Sequence, residues 1–173
     1  MHLLLKQLKL PHRLLVILEG ESLFNDASAL ATRAEERTAE YQRRWDRGGS
    51  VHRGFANAYD SGGTNLRTAL GDWVSKHAPR RLVATGHSLG AALATLFASD
   101  HPAAELVTFG SPRVGNAEFA ALFSGRTVRR YRDCCDGVTR VPPEWLGYRH
   151  LQGLHYINRH GAVISPEPSG AEI

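Results

Sequence analysis

The chain has few of the features that mark membrane, disulfide-rich or nucleic-acid-binding proteins. It contains only two cysteines, the adjacent Cys134 and Cys135. Neighbouring cysteines rarely satisfy disulfide geometry, and two thiols are too few for a zinc site of about four ligands. No stretch approaches the 18 or so apolar residues that a membrane span requires. The net charge of +4 comes from scattered arginines and lysines, so we expect no nucleic-acid partner, which would favour a basic stripe.

What remains is the composition of an ordinary globular protein. The 173 residues are 42% hydrophobic and 22% charged, which favours one domain spanning residues 1–173 with a core of its own. The first 18 residues are rich in leucine, but Lys6, Lys9 and Arg13 interrupt them and no small-residue cleavage pattern follows. We therefore expect no signal peptide, and a cytoplasmic location is slightly favoured.

Strand-like and helix-like segments alternate along the chain. Strands are predicted at residues 14–18, 81–85, 105–109, 127–132 and 154–158, and helices at 27–45, 66–77, 91–99 and 117–123. The last strand is a candidate antiparallel strand at the edge of the sheet. This alternation predicts an α/β protein with a mainly parallel sheet flanked by helices.

The most informative segment is a G-x-S-x-G motif between a predicted strand and a predicted helix. It reads Gly86-His87-Ser88-Leu89-Gly90 and is followed by small residues. In this context the motif indicates a nucleophile elbow, in which a sharp turn exposes the serine and glycines two residues away avoid a collision. Ser88 is the predicted nucleophile, and the Leu89 N–H at the helix N-terminus is the predicted oxyanion donor.

A serine hydroxyl needs a base and an acid to orient that base. In hydrolases that carry a nucleophile elbow, the acid and then the histidine follow the serine along the chain. Asp133 and Asp136 both come after the predicted strand 127–132, and spacing alone does not separate them.

Four motifs resemble those of the class 3 (fungal-type) triacylglycerol lipases, in particular their bacterial members. They cover about residues 50–160 in the family's order: V-H-R-G-F (51–55), G-H-S-L-G (86–90), V-T-F-G-S-P-R-V-G-N (107–116), and D-G-V-T-R-V-P-P (136–143) followed by G-Y-R-H (147–150). The resemblance implies an α/β-hydrolase fold and assigns the triad acid to Asp136.

The sequence departs from the family at its C-terminal end. The family's triad histidine stands in a late D-H-x-x-Y-like segment, which this chain lacks, so we expect a fold that is shortened at the C-terminus. His150 matches the family's G-Y-x-H histidine, which is not usually the base, whereas His155 and His160 match no motif. We take His150 as the candidate general base and keep His155 and His160 as alternatives.

A second departure lies in residues 1–33, which are atypical of the family. The family places a hydroxyl residue of the oxyanion hole after the first strand, and here Ser22 falls one place late, beside Glu21. Ser22 is the candidate second oxyanion residue. Residues 10–30 resemble a segment of sodium/proton antiporters, with Asn25 and Asp26 at its polar positions. One such fragment cannot build a transport pathway, so we infer no transport.

The sequence therefore predicts a serine carboxylic ester hydrolase, a lipase or carboxylesterase, acting through an acyl-enzyme at Ser88. The expected partner is an acyl ester or lipid, with transient contact at a lipid interface, and neither a metal nor a cofactor is required. The predicted helix 27–45 occupies the family's lid position but suits a solvated helix, which favours short or medium acyl chains. The alternative is a catalytically impaired hydrolase fold or binding module without its triad histidine.

Overall fold

The computed structural model describes residues 14–20, 41–60 and 65–165. Its strands are β1 (Leu14–Gly20), β2 (Gln42–Arg44), β3 (Ser50–His52), β4 (Leu82–Ser88), β5 (Glu105–Phe109), β6 (Gly115–Asn116), β7 (Val128–Asp133), β8 (Tyr148–Arg149), β9 (Leu154–Ile157) and β10 (Val163–Ile164). Its helices are α1 (Arg53–Asp60), α2 (Leu66–His77), α3 (Leu89–Asp100) and α4 (Ala117–Ala121). Two short 3₁₀ turns cover Val138–Arg140 and Glu144–Leu146.

The larger sheet has six strands in the order β1-β4-β5-β7-β9-β10. The pairs from β1 to β9 are parallel, and β10 pairs antiparallel with β9. This mainly parallel sheet with flanking helices confirms the predicted fold class. The prediction for residues 154–158 is wrong in orientation, because a long crossover returns β9 to the same end as β7. The antiparallel edge strand is β10.

A smaller antiparallel sheet, in the order β2-β3-β6-β8, was not expected from the sequence. Its strands have two or three residues each, too short to leave a periodic pattern. The predicted helix 27–45 is wrong at its end, because Gln42–Arg44 pairs with Ser50–His52 across a turn. Gly48 and Gly49 form that turn at φ 128° and 72°, values that only glycine adopts readily. Residues 27–40 lie outside the described part of the chain.

The core is built around α3, which packs against the larger sheet on one side and α1 on the other. Ten consecutive residues of α3, from Gly90 to Ser99, are buried. Alanine at four of these positions lets helix and sheet approach closely. The Trp45 indole donates a hydrogen bond of 2.8 Å to Ser99 Oγ. Because Trp45 directly follows β2, this bond links the C-terminal end of α3 to the smaller sheet. The helix that carries the G-x-S-x-G motif is thus the most enclosed element described.

The parallel register aligns the carboxyl ends of the central strands. Glycine 20 at the end of β1 lies opposite Ser88 at the end of β4. On the next row, His87, Phe109, Tyr131 and His155 are successive cross-strand partners on β4, β5, β7 and β9. Because the carboxyl ends of parallel strands meet at one edge, this is where substrates bind in open α/β sheets.

Candidate active site

Ser88 lies at a sharp junction where β4 ends and α3 begins. Its backbone has φ 54° and ψ −121°, a conformation that costs a non-glycine residue on the order of 1–3 kcal/mol and persists only where the surroundings enforce it. Its side chain makes no capping hydrogen bond to the helix, so the hydroxyl is not engaged in holding α3. The half-buried serine is presented at the carboxyl edge of the sheet, as the elbow motif predicted.

Gly86 is required by the tightness of this turn. A Cβ at Gly86 would collide with the carbonyl of Gly90 and lie 2.7 Å from the backbone nitrogen of Ala91. These are backbone atoms of the first turn of α3, which cannot move aside without moving the helix. The glycine two residues before the serine therefore allows helix and strand to meet.

The N-terminus of α3 supplies the electrostatics that an oxyanion requires. Leu89 is the first residue of the helix, and the first backbone N–H groups of a helix have no partner within it. Their partial positive charge favours a developing negative charge near Ser88 Oγ. Ser22, the other predicted oxyanion residue, lies outside the described residues, two positions beyond Gly20.

The structure gives the two candidate aspartates different surroundings. Asp133 is exposed and accepts a hydrogen bond of 3.0 Å from the Cys135 N–H. Asp136 uses Oδ1 to accept from the Val138 N–H at 2.9 Å, while its Oδ2 lies 2.6 Å from where a Gly110 Cβ would be. That same position is 3.4 Å from His87 Nε2, on the residue before the serine. Asp136, not Asp133, therefore directs a carboxylate oxygen towards the elbow.

Arg113 holds the loop that follows Asp136, a role that the sequence did not reveal. Its guanidinium donates to the carbonyl of Arg140 at 2.6 Å and to the carboxylate of Glu144 at 2.9 Å. The 107–116 motif contains Arg113, but nothing in the sequence indicated which partner it meets. The sequence likewise did not indicate the role of Gly110, whose φ of 55° and closeness to Asp136 both exclude a side chain there.

His150 also contacts this loop. Its Nε2 is 2.7 Å from the carbonyl oxygen of Thr139, so the ring nitrogen donates and is not available to accept a proton. Burial above all, together with the charges of Arg130, Arg113 and Arg132, lowers the pKa of His150 to about 3, although the hydrogen bond to Thr139 acts in the opposite direction. A general base must become an imidazolium during the reaction, and these surroundings oppose that. They describe a neutral histidine that fixes the Asp136 loop.

This neutral state predicts a pH dependence of stability. The unfolded chain binds a proton at the ordinary histidine pKa of about 6.5, whereas the folded chain does so only near 3. The wild type should therefore lose stability relative to His150→Gln as the pH falls between those values, by up to about 1.4 kcal/mol per pH unit. Urea unfolding of both proteins across that range measures it. Parallel profiles would contradict a buried neutral His150.

The other two candidate histidines lie on β9 and in the turn that follows it. His155 stacks on Tyr131 with ring centroids 4.9 Å apart, and β9 is three strands from β4, or roughly 14 Å at the usual strand spacing. His160 is exposed in the turn between β9 and β10, with its Nε2 accepting from Arg159 at 3.3 Å. Within the described part of the chain, no histidine hydrogen-bonds to Ser88 or to the Asp136 carboxylate.

An open cleft of about 510 Å³ adjoins Asp136. Aromatic residues and arginines line it together with the Asp136 loop, among them Trp145, Tyr156, Arg132 and Arg140. The Trp145 side chain is 63% exposed. The cleft thus gives solvent access to the loop that carries the candidate triad acid.

The class 3 lipase family matches residues 19–145 of this chain, and the chain belongs to that family. It is 37% identical over 132 residues to the secreted mono- and diacylglycerol lipase 1 of Fusarium solani, covering 73% of this chain and 39% of that protein. It is 32% identical over 121 residues to the secreted mono- and diacylglycerol lipase 3 of Gibberella zeae, covering 64% and 38%. A solved triacylglycerol lipase, described as having a serine protease triad as its catalytic centre, superposes with a TM-score of 0.58 at 31% identity, covering 67% of this chain and 49% of that one.

Two points follow from these likenesses. The chain spans about two fifths of the length of those two curated relatives, so their activities apply to it only as proposals. Both relatives are named secreted proteins, and the expectation of a cytoplasmic location was therefore wrong. The leucine-rich start interrupted by lysines gave no reliable indication of where the protein resides.

Proposed function

We propose that the chain hydrolyses carboxylic esters of the acylglycerol kind through an acyl-enzyme at Ser88. The observation that carries the proposal is the strained serine at φ 54°, at the N-terminus of α3. A backbone held in such a conformation by a glycine-lined turn is typical of a nucleophile and has no evident structural purpose. The names of the relatives support mono- and diacylglycerols as the substrate class.

In the proposed mechanism, Ser88 Oγ attacks the acyl carbonyl carbon while a histidine takes its proton. The Leu89 N–H donates to the oxyanion that forms, with Ser22 as the second predicted donor. The histidine then protonates the leaving alcohol, and water hydrolyses the acyl-enzyme. Asp136 is the proposed acid that orients the histidine, supported by its Oδ2 near Gly110 and His87. The proposed substrate has short or medium acyl chains.

The surroundings of His150 do not favour it as the histidine of this mechanism. His150 stays the predicted base on the family motif, but its Thr139 hydrogen bond and its lowered pKa favour a positioning role instead. A second function therefore has a specific observation in its favour: a hydrolase fold that binds acyl lipids without turning them over. Among the described helices, none has the length and apolarity to cross a membrane, and contact with a lipid interface remains part of the proposal.

Two finer likenesses also remain proposals. Similarity to bacterial members of the family, and an antiporter-like origin of residues 10–30, rest on sequence patterns alone. The relatives described above are fungal. Residues 14–20 form a strand paired along its whole length with β4, which supports a place for this segment within the hydrolase sheet.

Covalent labelling of Ser88 tests the proposal directly. A fluorophosphonate should add one phosphonyl group to the wild type, because the elbow and the oxyanion donor activate Ser88 towards a tetrahedral phosphorus centre. Intact-mass spectrometry followed by peptide mapping measures the site. Ser124→Ala is the matched control, since Ser124 is exposed and comes shortly before β7, at the edge of the parallel sheet opposite to the elbow. A wild type that stays unlabelled would overturn the catalytic proposal and favour the binding module.

A further inference from the structure

The two cysteines form a close pair of thiols that the proposed mechanism does not use. Cys134 and Cys135 lie in the turn that follows β7, with their Sγ atoms 2.7 Å apart. Cys135 is exposed, and Cys134 is half-buried and lines the cleft beside Asp136. Both sulfurs are thus accessible from solvent, one from the surface and one from the cleft.

The backbone holds this pair in place but does not suit a disulfide. Consecutive Cα atoms are about 3.8 Å apart, less than the roughly 4.4–6.8 Å that a disulfide usually spans. The Cys134 N–H donates to the Ile157 carbonyl at 2.9 Å, and the Cys135 N–H donates to Asp133 Oδ1 at 3.0 Å. The turn therefore presents two reduced thiols on a fixed backbone.

The Asp133 carboxylate places a third possible metal ligand beside the two thiols. The ligand atoms of Asp133, Cys134 and Cys135 all lie within 4.8 Å of one another. A carboxylate has about four acceptor positions on its two oxygens, so the hydrogen bond from Cys135 leaves Asp133 able to bind more. Two adjacent thiols alone are too few for a metal site, but the structure adds this carboxylate.

We propose that Asp133, Cys134 and Cys135 bind one thiophilic divalent cation of the zinc or cadmium type. The cation replaces the two thiol protons, which pass to solvent, so that two sulfur–metal bonds and one oxygen–metal bond form without any change of oxidation state. At a Zn–S distance of about 2.3 Å in tetrahedral geometry, the sulfurs stand about 3.8 Å apart, so the exposed Cys135 side chain must rotate outwards. Water completes the coordination.

The donor set decides which cations fit. Thiolate is a soft ligand that selects zinc-like and softer metals, whereas magnesium and calcium require oxygen ligands and, for calcium, six to eight of them. The site therefore discriminates by chemistry and not by net charge. Magnesium in excess should not displace cadmium from it.

Cadmium titration of the full chain tests the proposal. Sulfur-to-cadmium charge transfer gives an ultraviolet absorption band that reports thiolate ligands only, so the histidines do not contribute to it. The wild type should saturate at one cadmium per chain. Cys134→Ser and Cys135→Ser should each weaken binding by more than about tenfold, because replacing even a residue that only hydrogen-bonds to a metal ligand lowers metal affinity by about 10–100-fold. Asp133→Asn should do so too, while Asp72→Asn, a control on α2, should not.

Circular dichroism establishes whether each variant folds. If the cysteine variants do not fold, the wild type with its thiols blocked by methyl methanethiosulfonate after folding replaces them and should give no band. A wild type without a saturable band would overturn the proposal, as would equal binding by the Cys134→Ser/Cys135→Ser double variant or by the blocked protein. Because the readout needs no ester hydrolysis, its failure is separate from a failure of the proposed function.

Discussion

Replacing Ser88 with alanine is expected to lower kcat/KM for p-nitrophenyl butyrate by about 10⁴-fold or more, since removal of the nucleophile costs about 10⁶-fold in a well-characterised serine hydrolase. Alanine keeps the Cβ and removes only the hydroxyl, which makes no capping bond to α3. The backbone strain at φ 54° is the same in both proteins. Stability should therefore change little while hydrolysis disappears.

Steady-state hydrolysis and a thermal melt, run on the same preparations, measure these two quantities separately. Ser124→Ala should match the wild type in both, because it removes an exposed hydroxyl at the opposite edge of the sheet from the elbow. If Ser88→Ala kept more than about a tenth of the activity, the transition state would not depend on that oxygen. His150→Gln, in the same assay, separates a base from a positioning residue: a loss as large as that of Ser88→Ala is expected only of a base.

Gly86→Ala is expected to lower the free energy of unfolding by about 3 kcal/mol, the upper end of the usual range for overpacking a core. The added methyl group would meet the Gly90 carbonyl and lie 2.7 Å from the Ala91 nitrogen. Both atoms belong to a buried helix that packs against the sheet. Relief requires α3 to shift, and this would displace Ser88 and the Leu89 N–H together, so fluorophosphonate labelling should also slow.

Gly71→Ala provides the matched control for this change. Gly71 lies in α2, and a Cβ there would have no atom within 4 Å. Alanine in a helix interior is favoured over glycine by up to about 1 kcal/mol, so this variant should be as stable as the wild type or more so. Urea unfolding of the two variants decides the matter. Equal stabilities would mean that the elbow can relax around a side chain.

The elbow was predictable because all of its determinants are consecutive in sequence. A strand, two glycines, a serine and a run of small residues specify the turn without help from elsewhere. The smaller sheet was not, because its strands have only two or three residues each and because β3, β6 and β8 pair across long separations. Residues 42–44 have a helix-favouring neighbourhood, but pairing with β3 overrides that local preference.

The site residues also divide into those that local sequence predicts and those that depend on tertiary packing. Spacing could not separate Asp133 from Asp136, since both follow the predicted strand 127–132. The fold separates them through Gly110, whose lack of a side chain leaves room for the Asp136 carboxylate. The family motif drew attention to His150 but not to its burial beside three arginines, which depends on tertiary packing. The role of Arg113 could not be predicted either, because its partners Arg140 and Glu144 belong to a loop about thirty residues further along the chain. Only the tertiary fold brings them together.

The burial of α3 has a consequence for how this protein can change over generations. Its ten enclosed residues begin two positions after the nucleophile, so almost every substitution that enlarges one of them alters both core packing and the placement of the serine. Selection for greater stability and selection for a new substrate would then act on the same positions and conflict there. Divergence is freer at the exposed cleft wall, where Trp145 can be exchanged without disturbing that helix.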